Sequence, residues 1–199
     1  MSKIFNQGHF WSYAIRSLDK ARGIIEQRDA RKKSVVVFIS HKHDELDDLK
    51  GLIGFLENEY DVECYIDSED EIMPSVTSSI TARILKERIK RSDKFILLAT
   101  NGAIESKWCN WELGFGDASK TLKNVALLPM QPAEDFEYEY KGNEYLSLYP
   151  YIRYFSGYEI DSNGKRVSQG YYVVNEKING EEYLPLKIWL DRGNSYLRR

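Results

Sequence analysis

A short stretch, residues 106–117 (SKWCNWELGFGD), places one carboxylate, Glu112, among aromatic side chains. It follows an apolar run that predicts a strand, so it lies where a strand passes into a helix. Residues four apart share a helix face, which puts Trp108 beside Glu112 and Trp111 beside Phe115. A carboxylate beside a flat ring suits chemistry at a sugar carbon with an aromatic leaving group, because the acid stabilises positive charge and the ring packs the heterocycle. The alternative interpretation is two core tryptophans with a solvated or paired Glu112.

Four apolar runs predict the strands that position this stretch, and a weaker pattern indicates a fifth. They lie at Val35–Ile39, Val62–Ile66, Phe95–Ala99 and Val125–Met130, with the fifth at Tyr151–Phe155. Continuous β-branched and aromatic runs are typical of strands buried on both faces of a parallel sheet. Residues with helical spacing follow, and we expect Asp44 or Ser40 to cap one helix and Thr77 or Ser78 the next. The fold class is therefore α/β, a parallel sheet with right-handed crossovers and helices on both faces.

The two ends of the chain carry different patterns from the middle. Apolar residues at helical spacing over residues 4–28 predict an amphipathic amino-terminal helix, followed by a basic run. We therefore divide the chain into residues 1–33, an amino-terminal helix and basic connection, residues 34–157, the domain core, and residues 158–199, an extension packed on the same domain. Within the extension we expect a hairpin around the Asn-Gly turn at residues 161–164, joining residues 158–160 to residues 171–174, and a final helix at residues 184–190.

Composition narrows the class of protein. Charged residues are 30% and hydrophobic residues 42% of the chain, a globular balance, and no apolar run approaches the ~20 residues that a membrane span needs. A net charge of −3 gives no general attraction to nucleic acid. The polar amino terminus lacks the apolar stretch of a signal peptide, so we expect a cytoplasmic protein with Cys64 and Cys109 as reduced thiols.

Taken together, five segments resemble a Toll/interleukin receptor (TIR) domain over about residues 35–130. They are Phe38–His41, Cys64–Asp67, Phe95–Ala99, Ser106–Cys109 and Glu112–Gly114, and their order and spacing make the resemblance specific. The chain is most similar to the NAD-processing TIR proteins of bacterial antiphage defence systems such as Thoeris. The resemblance implies a flavodoxin-like TIR fold, with the amino-terminal helix and the carboxy-terminal extension added to it.

The resemblance also implies an activity, cleavage of the bond between nicotinamide and ribose in NAD+, with Glu112 as the essential acid. Nicotinamide in NAD+ is cationic and leaves as a neutral ring, so one carboxylate suffices where ordinary glycosidases need two. The substrate-binding residues that it implies are Ser40, His41, Lys42, His43, Ser106 and Trp108. NAD+ is the substrate and no separate cofactor is expected. The product, which is ADP-ribose, a cyclic isomer or a conjugate, would act as a signal for a downstream effector.

Other interpretations remain open at this stage. The rival from another class is a non-enzymatic TIR module that acts by self-association, in which Glu112 is merely present. Family likeness also implies that the acidic loop at residues 68–75 helps to complete the site of a neighbouring subunit. His41 and His43 are more typical of solvent-facing residues than of a metal site. Cys109 is expected to be a small buried residue rather than a nucleophile, and Trp111 to belong to the core.

Overall fold

The apolar runs form strands of one sheet in the computed structural model, which describes residues 4–14, 34–66, 78–133, 140–161, 164–177 and 180–191. Within these residues the strands are β1 Phe5–Asn6, β2 Val36–Ser40, β3 Glu63–Tyr65, β4 Lys94–Ala99, β5 Val125–Gln131, β6 Tyr151–Phe155, β7 Gly170–Lys177 and β8 Gly180–Pro185. Their order is β3-β2-β4-β5-β6-β7-β8, with β1 paired to β5. Strands β2 to β6 pair in parallel, whereas β7 and β8 continue the sheet in antiparallel pairing. The predicted α/β architecture is confirmed.

Helices cover both faces of this sheet. The described helices are α1 Leu46–Tyr60, α2 Ser79–Arg91, α3 Asn101–Glu105, α4 Lys107–Ser119, α5 Asn143–Leu148 and α6 Leu186–Trp189. Alternate side chains of a strand point to opposite faces, so Val37 and Ile39 join the apolar cluster that contains residues of α1, while Phe38 joins the cluster with α2 and α4. No helix in the described part of the chain is both long and apolar enough to cross a membrane.

The predicted helix starts are right in one case and wrong in another. Ser78 caps α2, because its hydroxyl accepts the Thr81 N–H while the Ser78 N–H donates to the Thr81 hydroxyl. The predicted caps of α1, Asp44 and Ser40, are wrong, since Glu45 is the residue before that helix. Asp44 instead pairs with Lys42 and Ser40 remains in β2, so both side chains are committed elsewhere. The alternative cap Thr77 lies outside the described residues.

The amino-terminal segment begins as a strand. Phe5 and Asn6 pair with Met130 and Gln131 at the end of β5, so the predicted helix over residues 4–28 is wrong at its start. Backbone groups left by β5 offer a ladder partner that a local helical pattern does not reveal. Residues 11–14 are helical, and residues 15–28 lie outside the described residues, as do the basic connection up to residue 33 and the acidic loop at residues 68–75.

The carboxy-terminal part differs from its prediction in pairing. Residues 171–174 lie in β7 and pair with β6 and β8 rather than with residues 158–160. Residues 162 and 163 of the predicted turn lie outside the described residues, and on either side of them Ile160 and Arg166 form an isolated bridge. Leu184 and Pro185 end β8, so the helix begins at Leu186, not at residue 184. The domain boundaries at residues 33 and 157 stay predictions.

Candidate active site

An open pocket of about 350 Å³ lies where the segment after β2 meets the start of α4. The carboxyl ends of parallel strands meet at one edge of a sheet, the usual place for a ligand in open α/β folds. The lining residues are His41, Lys42, His43, Asp44, Ser106, Trp108 and Cys109. Five predicted substrate-binding residues, all except Ser40, therefore come together in the lining of one pocket. Their contact with substrate stays a prediction.

Glu112 lies next to this pocket but not in its lining. The Ser40 hydroxyl donates a hydrogen bond of 2.5 Å to Glu112 Oε2, and the two residues are only 1% and 2% exposed. A buried carboxylate is stabilised by such a charge-assisted bond. The sequence predicted Trp108 and Glu112 side by side on one helix face. The structure places Trp108 half-buried in the pocket lining and Glu112 deeper, behind the end of β2.

Cys109 joins α4 to the segment after β2. Its thiol donates to the backbone carbonyl of His41 across 3.3 Å, and its N–H donates to the hydroxyl of Ser106, which caps the helix. Burial is the main cause that raises the pKa of the Cys109 thiol, and the nearby charge of Glu112 adds to it. The thiol therefore stays protonated near neutral pH, and Cys109, at 1% exposed, is the small buried residue that the sequence predicted.

One of the two histidines differs from its prediction in exposure. His43 is exposed, as expected, but His41 is only 5% exposed and meets the His43 ring edge-on, with the ring centroids 5.6 Å apart. Its backbone carbonyl is held by Cys109, which keeps this residue against α4. Among the described residues, no three side chains of the metal-binding types are grouped so that they could hold an ion.

Lys42 is the cation of the pocket wall. Its ammonium group lies 3.0 Å from Asp44 Oδ2, and both side chains are largely exposed. The hydrogen bond to Asp44 is the main cause that raises the pKa of Lys42, so the group stays charged at neutral pH. An exposed pair of this kind is weak, so the ammonium group can exchange Asp44 for an anionic ligand.

An aromatic stack lines α4 behind the pocket. The Trp108 and Trp111 rings are 4.8 Å apart and 17° from parallel, and Trp111 and Phe115 are 6.0 Å apart and 13° from parallel. Lys86 Nζ of α2 lies 5.7 Å from the centroids of both Trp111 and Phe115. The prediction that Trp111 belongs to the core is therefore right only in part, because the half-buried ring packs on the core while it supports Trp108.

Sequence reasoning missed two polar residues beside the site, Glu45 and Thr100. The Thr100 hydroxyl donates to Glu45 Oε2 across 2.5 Å, although the residues are 55 positions apart. Thr100 also caps α3 by accepting the Ala103 N–H. A threonine directly after a buried strand is a typical cap signal, and it could have marked Thr100. The sequence carries no comparable signal for Glu45.

The family follows from comparison with known proteins. The family model described as TIR domain matches residues 37–166, and the chain belongs to the TIR domain family. This range contains β2 except its first residue, β3 to β6 and the pocket. The flavodoxin-like TIR fold implied by the sequence is thereby confirmed.

Two curated relatives are similar to this chain. One, from Bacillus cereus (strain MSX-D12), is named Probable 3' cyclic ADP-D-ribose synthase ThsB' and is 31% identical in an alignment of 147 residues that covers 71% of this chain and 74% of the relative. Another, from Cytobacillus dafuensis, is named Putative cyclic ADP-D-ribose synthase TIR2 and is 29% identical in an alignment of 109 residues that covers 53% of this chain and 28% of the relative. Both names describe the synthesis of a cyclic ADP-ribose.

Proposed function

We propose that this protein cleaves the nicotinamide–ribose bond of NAD+ and gives ADP-ribose or a cyclic ADP-ribose as a signal in antiviral defence. The observation that carries the proposal is the buried Glu112, hydrogen-bonded to Ser40 directly behind a pocket lined by the TIR motif residues. The names of the two relatives support the same chemistry. The defence role and a downstream effector that responds to the product are part of the proposal.

The mechanism follows from the charge change in the reaction. As the bond from ribose to nicotinamide breaks, the ring takes the bonding electrons and becomes neutral, while positive charge develops on the ribose. A carboxylate in a water-poor site stabilises that charge far better than one in water. Glu112 supplies the carboxylate, and the hydroxyl of Ser40 fixes its orientation. Trp108 offers a flat surface to an aromatic ring of the substrate, and Lys42 offers a cation to its phosphates.

Because Glu112 lies deep, part of the site must move before the substrate can reach its carboxylate. With the carboxylate 2% exposed and outside the pocket lining, a ribose in the pocket reaches it only if the Ser40 side chain, which contacts the carboxylate, moves aside. We infer that this movement accompanies substrate binding or self-association. A second TIR subunit over the open pocket would also exclude water from the reaction.

Product identification tests the proposal. The purified protein is incubated with NAD+ over a range of protein concentrations, and the products are separated and weighed by mass spectrometry. Release of nicotinamide supports the enzyme. A second product lighter than ADP-ribose by one water identifies cyclisation, because a nucleophile within the substrate, a hydroxyl or an adenine nitrogen, has then replaced water. Intact NAD+ at every concentration, with self-association still present, favours the non-enzymatic module.

A further inference from the structure

One side-chain bond ties together the two loops at the carboxyl edge of the sheet. The Thr100 hydroxyl, which follows β4, donates to Glu45 Oε2, which follows β2, across 2.5 Å. Thr100 is 2% exposed, and its oxygen accepts the Ala103 N–H at 3.0 Å. The bond therefore joins the start of α1 to the start of α3, and both its partners are fixed by the helices that they begin.

The absence of a side chain on Gly102 allows Glu45 and the pocket residue Lys42 to lie close together. A Cβ on Gly102 would lie 2.7 Å from Glu45 Oε1 and 2.7 Å from Lys42 Cδ, distances that real Cβ atoms do not show. The side chain of Lys42 therefore lies across Gly102, next to the carboxyl group of Glu45. The Glu45 N–H also donates to the Lys42 carbonyl at 3.1 Å, which closes residues 42–45 into a turn.

The surroundings of Glu45 do not favour a charged side chain at this position. Burial raises the pKa of its carboxyl group, and the Thr100 hydroxyl offsets only part of that effect. Partial burial of a carboxyl group lowers the stability of the folded state unless its contacts compensate for the lost hydration. The carboxyl group of Glu45 bonds to Thr100, and the N–H of the same residue closes the turn after β2 on the Lys42 carbonyl.

We propose that Glu45 and Thr100 are positioning residues of the substrate site, which hold residues 41–44 as a preformed pocket wall and aim Lys42 at an anionic group of the substrate. This inference rests on the proposed function for its substrate, the diphosphate of NAD+. The wall itself is a property of the free protein. Preformed sites bind more tightly because less ordering accompanies binding.

A matched set of variants tests the bond. Thr100→Val keeps the shape but removes the hydroxyl and with it the cap on Ala103. Thr100→Ser keeps the hydroxyl, and Glu45→Gln replaces the charged acceptor by a neutral one while the cap on Ala103 stays. We expect Thr100→Val and Glu45→Gln to raise KM for NAD+ about tenfold, the effect of roughly one hydrogen bond, with kcat changed less than about threefold. Thr100→Ser should stay within about twofold of the wild type. The double variant Thr100→Val/Glu45→Gln should be no worse than Thr100→Val, because the hydroxyl that bonds to residue 45 is already absent in Thr100→Val.

Hydrogen exchange gives a readout that needs no activity. The amides of Glu45 and Leu49, which donate to the carbonyls of Lys42 and Glu45, should exchange about tenfold faster in Thr100→Val and Glu45→Gln, and at the wild-type rate in Thr100→Ser. A wild-type protein without activity on NAD+ would refute the proposed function, while these exchange rates would still decide the positioning role. Wild-type KM and exchange in a folded Thr100→Val protein would overturn the inference. So would a loss of melting temperature and kcat with KM unchanged, because that pattern marks a purely structural bond.

Discussion

At the residue scale, the orientation of Trp108 depends on a ring outside the pocket. Trp111 covers one face of Trp108 at 4.8 Å, so only the rest of the indole is available to a ligand. An offset stack of this kind contributes about 0.5–1.5 kcal/mol beyond its buried area. We therefore regard Trp111 as the support that keeps Trp108 flat against the pocket.

Replacing Trp111 should weaken substrate binding although this residue is not part of the pocket lining. We expect Trp111→Leu to raise KM for NAD+ about three- to tenfold, which corresponds to the energy of the lost stack. Trp111→Phe keeps a ring and should stay within about twofold. Steady-state kinetics measure the effect, with melting temperatures as the folding control. An unchanged KM in a folded Trp111→Leu protein would show that Trp108 needs no support.

At the element scale, the amino-terminal segment packs against a notch in α1. A Cβ on Gly54 would lie 2.6 Å from the backbone oxygen of Tyr13, and one on Gly51 would lie 2.8 Å from the backbone of Phe10. These contacts are with backbone, which cannot turn away as a flexible side chain can. The two glycines therefore allow the segment and the helix to approach closely, and Phe10 is fully buried as a result.

The same substitution should have opposite effects in two helices. Gly54→Ala should lower the free energy of unfolding by about 1–3 kcal/mol, because the clash displaces the amino-terminal segment. Gly114→Ala in α4 is the matched control, since no atom lies within 4 Å of its Cβ position, and it should raise stability by about 0.5–1 kcal/mol through helix propensity. Urea denaturation measures both. Stabilisation by Gly54→Ala would mean that the segment does not pack on α1.

The elements that the sequence predicted best are those that local pattern decides. Strands β2, β4 and β5 are continuous apolar runs because a parallel sheet buries both of their faces, and the cap at Ser78 is encoded by its own neighbours. The elements that were predicted wrongly depend on partners that are remote in sequence. The strand at Phe5 exists because Met130 pairs with it, and Leu184 extends β8 because Val173 lies opposite.

The same distinction holds for the candidate site. The residues of the pocket wall were predicted together because strand ends meet at one edge of a sheet, which is a property of the fold class. The depth of Glu112 was not predicted, because helical spacing gives the face of a residue and not its distance from solvent. The partnership between Glu45 and Thr100 joins loops 55 residues apart, and no local pattern encodes it.

At the scale of the whole molecule, a buried lysine anchors the carboxy-terminal helix to the sheet. Lys94 begins β4, is 5% exposed, and its ammonium group lies 4.7 Å from the ring centroid of Trp189 and 2.5 Å from Asn124 Oδ1. Burial lowers the pKa of Lys94 to about 8, with nearby Lys120 lowering it and Asp93 opposing the shift. Its contacts therefore offset only part of the cost of burying the charge.

The stability of the protein should depend on pH through Lys94. The folded pKa lies below the ordinary value of 10.5, so below pH 8 both states are charged and the burial cost is full. Above pH 8 the folded state releases its proton first, and the cost falls by up to about 1.4 kcal/mol per pH unit. We expect the unfolding free energy of the wild type to rise relative to Lys94→Met between pH 8 and 10. Parallel curves from chemical denaturation would contradict this assignment.

Self-association is a further property of the whole molecule. The pocket is open, and an open site leaves a charged transition state wet. We expect specific activity to rise steeply with protein concentration, and Ile72→Asp/Met73→Asp, in a loop outside the described residues, to remove both association and turnover. Light scattering and nicotinamide release on the same dilution series measure this. Constant specific activity of a monomer over a roughly hundredfold dilution would contradict it.

Glu112 supplies the carboxylate of the proposed reaction, and nicotinamide release by Glu112→Gln tests that role directly. The amide keeps the shape of the side chain and removes the charge. Glu105→Gln is the control, because Glu105 pairs with Lys141 on the surface. We predict that the wild type and Glu105→Gln release nicotinamide from NAD+, whereas folded Glu112→Gln releases it at a rate at least about a hundredfold lower. A decrease of this size is typical when a group that stabilises the transition state is removed. Wild-type turnover by a folded Glu112→Gln protein would contradict the account.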